Sequence, residues 1–207
     1  MNTNDMVRDG IYYAGGLVVA GLGLTYFASW LLGLPLFLLA LFCLYFFRDP
    51  ERTVPEGAVA VSPADGRVVS VKADQPGRTR VSIFLNIFDV HVNRTPIAGR
   101  IADVQYQPGR FLVASRESAS TDNEQNIVTV EGDGTRVVFK QIAGLIARRI
   151  VFWKKTGDVV RAGERIGLIK FGSRVDVFFG PEWDVTVNVR ERVSAGSSVI
   201  ARRKREP

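Results

Sequence analysis

Gly167-Leu168-Ile169-Lys170-Phe171-Gly172-Ser173-Arg174-Val175-Asp176-Val177-Phe178-Phe179 sets two apolar runs on either side of a Gly-Ser pair. Ile166, Leu168, Ile169 and Phe171 predict one strand, and the alternating Val175, Val177 and Phe179 predict another. Gly172 permits backbone conformations that other residues avoid. Ser173 carries a hydroxyl beside the Gly172 carbonyl. Two readings follow. The plain one is a turn between strands, where Gly and Ser are ordinary residues; Gly196-Ser197 is another such pair. The other is a strained peptide bond open to attack by the side chain that follows it.

Outward from this stretch, strand signals are short and frequent: 59–61, 68–71, 81–88, 101–106, 127–130, 137–142, 150–153, 166–171, 175–179 and 185–189. Asp65-Gly66, Pro76-Gly77, Pro108-Gly109 and Asp133-Gly134 punctuate them. The spacing predicts a mainly β domain over 53–207, a sandwich or barrel. The run from Gly157 to Gly167 follows Gly-Asp-x-Val-x-x-Gly-x-x-Ile-Gly. It resembles the hammerhead turn of lipoyl and biotinyl carrier domains, with 61–68 as a complementary half. Residues 117–125 predict a polar, Ser-rich loop of functional length.

The N-terminal part has another texture. Residues 11–47 contain no charged side chain. As one helix they would reach roughly 55 Å at about 1.5 Å per residue, against a hydrocarbon core of about 30 Å. Leu32-Gly33-Leu34-Pro35 supplies a break. The expectation is a hairpin of two membrane helices, 11–31 and 35–47, with the second short for a full span. Tyr12, Tyr13, Trp30 and Tyr45 suit interfacial belts. The run is too long for a cleaved signal peptide and has no basic segment before it. Arg48 and Arg52 argue that both ends lie on the cytoplasmic side of the cell membrane. The expected division is a hairpin and linker at 1–52, then the β domain.

The chain has 27 basic and 21 acidic residues, a net charge of +6. That balance suits an anionic partner. Nucleic acid is disfavoured, because the strands lack an aromatic RNA-binding signature and the apolar hairpin points to a membrane. Cys43 and His91 are each the only residue of their type. They exclude a disulfide framework and predict no metal site and a reducing compartment. The tail Arg202-Arg203-Lys204-Arg205 reads as a solvated terminus or as an attraction to anionic lipid of about 1 kcal/mol per basic residue.

Four blocks together carry a family resemblance: Ser62-Pro63-Ala64-Asp65-Gly66; Phe84-Leu85-Asn86-Ile87-Phe88-Asp89-Val90-His91-Val92-Asn93-Arg94-Thr95-Pro96; Ala147-Arg148-Arg149-Ile150; and Phe171-Gly172-Ser173. In this order they resemble the phosphatidylserine decarboxylases of the short, membrane-anchored, archaeal-type group. The resemblance implies a self-made cofactor, a covalent pyruvoyl group derived from Ser173. Ser173 Oγ would attack the Gly172 carbonyl, and elimination would cut the chain into 1–172 and 173–207, which stay paired. The ketone would form a Schiff base with the amine of the phospholipid substrate and act as electron sink for loss of carbon dioxide.

The resemblance also implies roles for other residues. Asp65 and His91 are candidate bases, since a hydroxyl needs one. Longer members carry a second histidine three positions after the first; here Arg94 stands there and cannot serve as a base. His91 taking that role, or Asp65 acting alone or through water, both remain open. Arg94, Arg148 and Arg149 are candidate anchors for the lipid phosphate. Asn86 and Asn93 are candidate partners for the carboxylate or an oxyanion. The sequence does not fix the oligomeric state, and a higher oligomer stays open. The competing reading is a membrane-tethered carrier or adaptor that is not cut and offers a lysine at a hairpin tip; Lys154 and Lys155 precede the hammerhead-like turn instead.

Overall fold

The charge-free run folds as two helices in the computed structural model, which describes residues 5–145, 149–170 and 172–204. α1 spans Asp5–Phe27 and α2 spans Trp30–Phe46. The break falls at Ala28-Ser29, earlier than the expected 32–35. Ser29 is extended, and its hydroxyl accepts the Leu31 N–H at 3.3 Å, an N-cap that starts α2 before the proline. Pro35 then sits inside the helix, with no N–H to give the Leu31 carbonyl. The helices meet through glycines. A Cβ on Gly21 would lie 2.8 Å from the Phe37 ring, and one on Gly33 2.7 Å from the Gly21 carbonyl. Tyr12, Val19, Tyr26, Phe27 and Trp30 are all more than half exposed. The segment Arg8–Phe27 is long and apolar enough to cross a membrane. α2, at about 1.5 Å per residue, reaches roughly 26 Å.

The chain divides into Met1–Glu51 and Arg52–Pro207. The second unit is mainly β. In chain order its elements are β1 Val59–Val61, β2 Gly66–Gln75, β3 Arg78–Leu85, β4 Val92–Arg94, β5 Gly99–Gln107, α3 Ala119–Asp122, β6 Gln125–Gly132 and β7 Thr135–Ala143. Then come β8 Ile150–Phe152, β9 Val159–Val160, β10 Arg165–Ile169, β11 Ser173–Phe179, β12 Trp183–Val185, β13 Arg192–Val193 and β14 Val199–Arg203. Eight strands in the order β13-β2-β3-β11-β7-β6-β5-β9 form a sheet that curls into a half-barrel. Two three-stranded sheets accompany it, β1-β14-β12 and β4-β10-β8. Every named strand pair is antiparallel. Asp133 and Gly134, at φ 49° and 69°, make the tight β6–β7 connection that an Asp-Gly pair favours.

One apolar core cluster includes Val81, Ile83, Leu85, Phe139, Val175, Val177 and Phe179, all fully buried. β11 runs through the middle, between β3 and β7, and is buried along its whole length.

Several expectations change. The basic tail is a strand end through Arg203: β14 pairs with β1 and β12. Arg203 donates to the Asp133 carbonyl, and Lys204 Nζ donates to the Pro181 carbonyl at 2.7 Å. Val199-Ile200-Ala201 supplies the apolar pattern that the charges beside it mask; Arg205 lies outside the described residues. The 117–125 stretch is a structured cap containing α3 and the start of β6. β4, β9 and β13 were too short to signal themselves. Lys154 is ion-paired with Glu164 at 2.5 Å, across the turn bounded by Gly157 and Gly163 at φ 96° and 71°.

Candidate active site

Gly172-Ser173 is a crossing between sheets, not the tip of a hairpin. β10 ends in one sheet and β11 begins in the centre of another. Gly172 has φ 68°, a left-handed conformation, and its N–H donates to His91 Nε2 at 3.1 Å. His91 Nδ1 lies 2.9 Å from the Asp89 carbonyl. A carbonyl only accepts, so Nδ1 carries the proton and Nε2 presents a lone pair. The neutral ring is 1% exposed. Asn86 and Asp89 shape the turn before it: Asn86 Oδ1 accepts the Phe88 N–H at 2.8 Å, and Asp89 Oδ2 accepts the Asn86 N–H at 2.9 Å. Arg192 donates to the other Asp89 oxygen at 2.6 Å. Asn86 thus serves the turn that aims His91.

Ser173 is fully buried and, among the described residues, its Oγ has no hydrogen-bond partner. Such a group costs about 1–3 kcal/mol, so folds keep few of them. Its neighbour is equally specific. A Cβ on Gly144 would lie 2.2 Å from the Gly172 carbonyl oxygen and 3.2 Å from Ala114 Cβ. The Gly172 carbonyl therefore lies directly over a residue that has no side chain. Asn123 fastens the segment above: its Nδ2 donates to Ala143 O at 2.7 Å and Leu112 O at 2.9 Å. Ala143 is the β7 partner of Ser173.

Three other candidates have partners of their own. Asp65 accepts from Arg52 Nη2 at 2.8 and 3.0 Å and from the Ala195 N–H at 2.7 Å. It makes no hydrogen bond to Gly172 or Ser173. Burial raises its pKa above the usual carboxylate value; the Ala195 N–H and Arg52 oppose that shift, and the Asp89 charge adds a little to it. Asn93 is fully buried; its Oδ1 accepts from Gln141 Nε2 at 2.8 Å, while its Nδ2 has no partner. Gln141 in turn accepts from Asn126 at 3.1 Å. Arg94 is 6% exposed, and its guanidinium donates to the Gly163 carbonyl at 3.1 Å. Arg149 is exposed; Arg148, Ala147 and Phe171 lie outside the described residues.

Sequence reasoning missed Gly144 and the polar residues that follow Ser173. Gly144 is an isolated Gly at the end of a strand pattern, the signal for a close backbone approach. Arg174 and Asp176 alternate with the core valines and so read as solvent-facing, yet they are 1% and 0% exposed.

With this geometry in view, residues 39–201 match the family model described as phosphatidylserine decarboxylase. A phosphatidylserine decarboxylase proenzyme of Solibacter usitatus is 69% identical over 198 residues, covering 96% of this chain and 97% of that protein. The proenzyme of Oleidesulfovibrio alaskensis is 44% identical over 99% of this chain and 97% of its own. That of Nitratidesulfovibrio vulgaris is 45% identical over 96% and 94%.

Proposed function

This chain belongs to the phosphatidylserine decarboxylase family of enzymes, and from that premise we propose that it converts phosphatidylserine to phosphatidylethanolamine through a Schiff base on a pyruvoyl group cut from its own Gly172-Ser173 bond. The observation that carries this reading is the buried, unpartnered Ser173 Oγ beside a carbonyl cradled over Gly144.

The residues fit that self-processing. Ser173 Oγ adds to the Gly172 carbonyl carbon, and the peptide nitrogen leaves, giving an ester. His91 Nε2, which accepts the Gly172 N–H one residue from the hydroxyl, is the candidate base; once that N–H releases it, the ring nitrogen receives the hydroxyl proton and then returns one to the departing nitrogen. Loss of the Ser173 Cα proton expels the Gly172 carboxylate and leaves dehydroalanine. Water converts that to the ketone and releases ammonia. The pyruvoyl group so made supplies an electron sink that no amino-acid side chain offers.

Around it the chain's own residues bind and orient. The free Nδ2 of Asn93 is a donor suited to a carboxylate or oxyanion. Arg148 and Arg149 supply cations for the lipid phosphate, whereas the buried Arg94 holds the turn at Gly163. The apolar α1 anchors the enzyme in the cell membrane, with the catalytic domain on the cytoplasmic side.

The test uses the full-length protein and vesicles containing phosphatidylserine. Carbon dioxide and phosphatidylethanolamine should appear in equal amounts, and the smaller fragment should carry a ketone that reacts with hydroxylamine. A cut protein that has the ketone but releases no carbon dioxide from this lipid overturns the reaction. His91→Ala should lower turnover by about 10²–10⁴-fold, the usual contribution of a positioned proton-transfer group. It should also slow cutting, visible as residual uncut chain on a gel.

A further inference from the structure

β11 carries two chemistries on its two faces. Ser173, Val175, Val177 and Phe179 face the core, and Arg174 and Asp176 face the other way, beneath the segment that contains α3. There they form a polar cluster, whose edge is the exposed Glu117 carboxylate 3.6 Å from Arg174 Nη2. Arg174 Nε donates to Asp176 Oδ1 at 2.6 Å, Nη2 to Ser82 Oγ at 2.8 Å and Nη1 to the Arg116 carbonyl at 3.2 Å. Asp176 Oδ2 accepts from Ser120 Oγ. Buried ion pairs contribute little net stability compared with apolar residues of the same volume. This one costs two desolvated charges in the central strand, starting one residue after the bond that is cut.

The cut changes what holds residue 173. On the reading given under Proposed function, its nitrogen leaves as ammonia. The strand then starts with a residue that has neither an N–H nor a covalent neighbour before it. Arg174 becomes the first residue with a ladder donor. Chain ends of this kind fray unless tied down. The Arg174 side chain ties this one to β3 through Ser82, to the overlying segment through Arg116, and to its own strand through Asp176.

We propose that the Arg174–Asp176 pair, with Ser82, Ser120 and the Arg116 carbonyl, is a positioning clamp for the reactive terminus at residue 173, required for turnover after cutting but not for cutting. In the uncut chain the same position is held by the peptide bond itself and by the Gly172 N–H on His91, so the clamp is dispensable there. Once the bond is gone the clamp adds to what remains of the ladder with β3 and β7 in fixing the first residue sideways. A misplacement of about 1 Å costs on the order of 10²-fold in rate.

The test compares Asp176→Asn with the double variant Arg174→Met/Asp176→Leu, both in the full-length chain. An apolar pair restores folding where a buried ion pair is only structural. Cutting is read on a gel, the ketone by its hydroxylamine adduct, and kcat and KM on phosphatidylserine vesicles. The double variant should fold, be cut and carry the ketone at wild-type levels. Its kcat should fall by roughly 10–10²-fold with KM little changed. Hydrogen exchange at the Val175 amide should accelerate in the cut protein only. Wild-type kcat in the double variant overturns the clamp, as does a loss of cutting that parallels the loss of kcat. Should the double variant fail to fold, Ser120→Ala decides: a lower kcat at unchanged cutting supports the clamp, and full kcat overturns it. If wild-type protein carries the ketone but leaves phosphatidylserine untouched, the assigned reaction falls. The clamp is then judged on the Val175 exchange alone: faster exchange in the cut double variant supports it, and unchanged exchange overturns it.

Discussion

Ser173→Ala leaves the chain whole and abolishes activity, because the substitution removes the only atom that can attack the Gly172 carbonyl from the next residue. Wild-type protein should run as two fragments, 1–172 and 173–207, and the variant as one. The loss should be total, since on the proposed mechanism no other group supplies the ketone. The variant should nonetheless fold as well as the parent. Ser173 Oγ makes no hydrogen bond, so its removal strands no partner and relieves a buried, unpaired hydroxyl worth about 1–3 kcal/mol. The melting temperature should be no lower than that of wild type. An active, uncut wild-type chain would refute self-processing.

Gly144→Ala should be the next most damaging change, at a residue remote in sequence from the cut. Its Cβ would sit 2.2 Å from the Gly172 oxygen and 3.1 Å from the Gly172 carbon. These are backbone atoms, which cannot rotate away as a flexible side chain would. The carbonyl must move, and with it the angle at which Ser173 Oγ approaches. A shift of about 1 Å should slow cutting by on the order of 10²-fold. Gly144 does not have the left-handed backbone that alone would strain an alanine, so the effect reports on the carbonyl. The measurement is the half-time of cutting after synthesis, with circular dichroism to verify the fold. Cutting at the parental rate would show that the carbonyl does not need this cradle.

The legible part of the fold was the part written in alternation. Val81 and Ile83, Val137 and Phe139, and Val175 and Val177 announce the strands that became β3, β7 and β11, and each is buried. Residues 11–47 announced two helices by lacking charge. The break was misplaced because Pro35 looked decisive, while Ser29, an ordinary residue in a run of apolar ones, could cap a helix five residues earlier. β14 was hidden by the arginines that end it. At the candidate site, the sequence singles out Gly172, Ser173 and His91, and the structure joins Gly172 to His91 through one hydrogen bond. Asp65 was readable too, but its partners, Arg52 and Ala195, come from segments that only the folded chain brings together. Arg174 and Asp176 failed the pattern for a physical reason. Alternation reports two faces of a strand and cannot say that the second face is covered; here the 116–122 segment covers it.

The position of β11 and β14 has a consequence for the life history of the molecule. Residues 173–207 supply the strand between β3 and β7, and also the middle strand of the β1-β14-β12 sheet. On the proposed cut, the smaller fragment is therefore woven through two of the three sheets. It can acquire that place only while it is still joined to the rest. Folding of the precursor is unimolecular; reassembly of separated fragments would be a bimolecular search through two sheets. Folding must come before cutting, and each molecule has one chance at it. If the chain is cut as proposed, the mature protein would depend on a high barrier to unfolding, not on an equilibrium with unfolded chains. On that reading the covalent break would leave the fold held by kinetics alone.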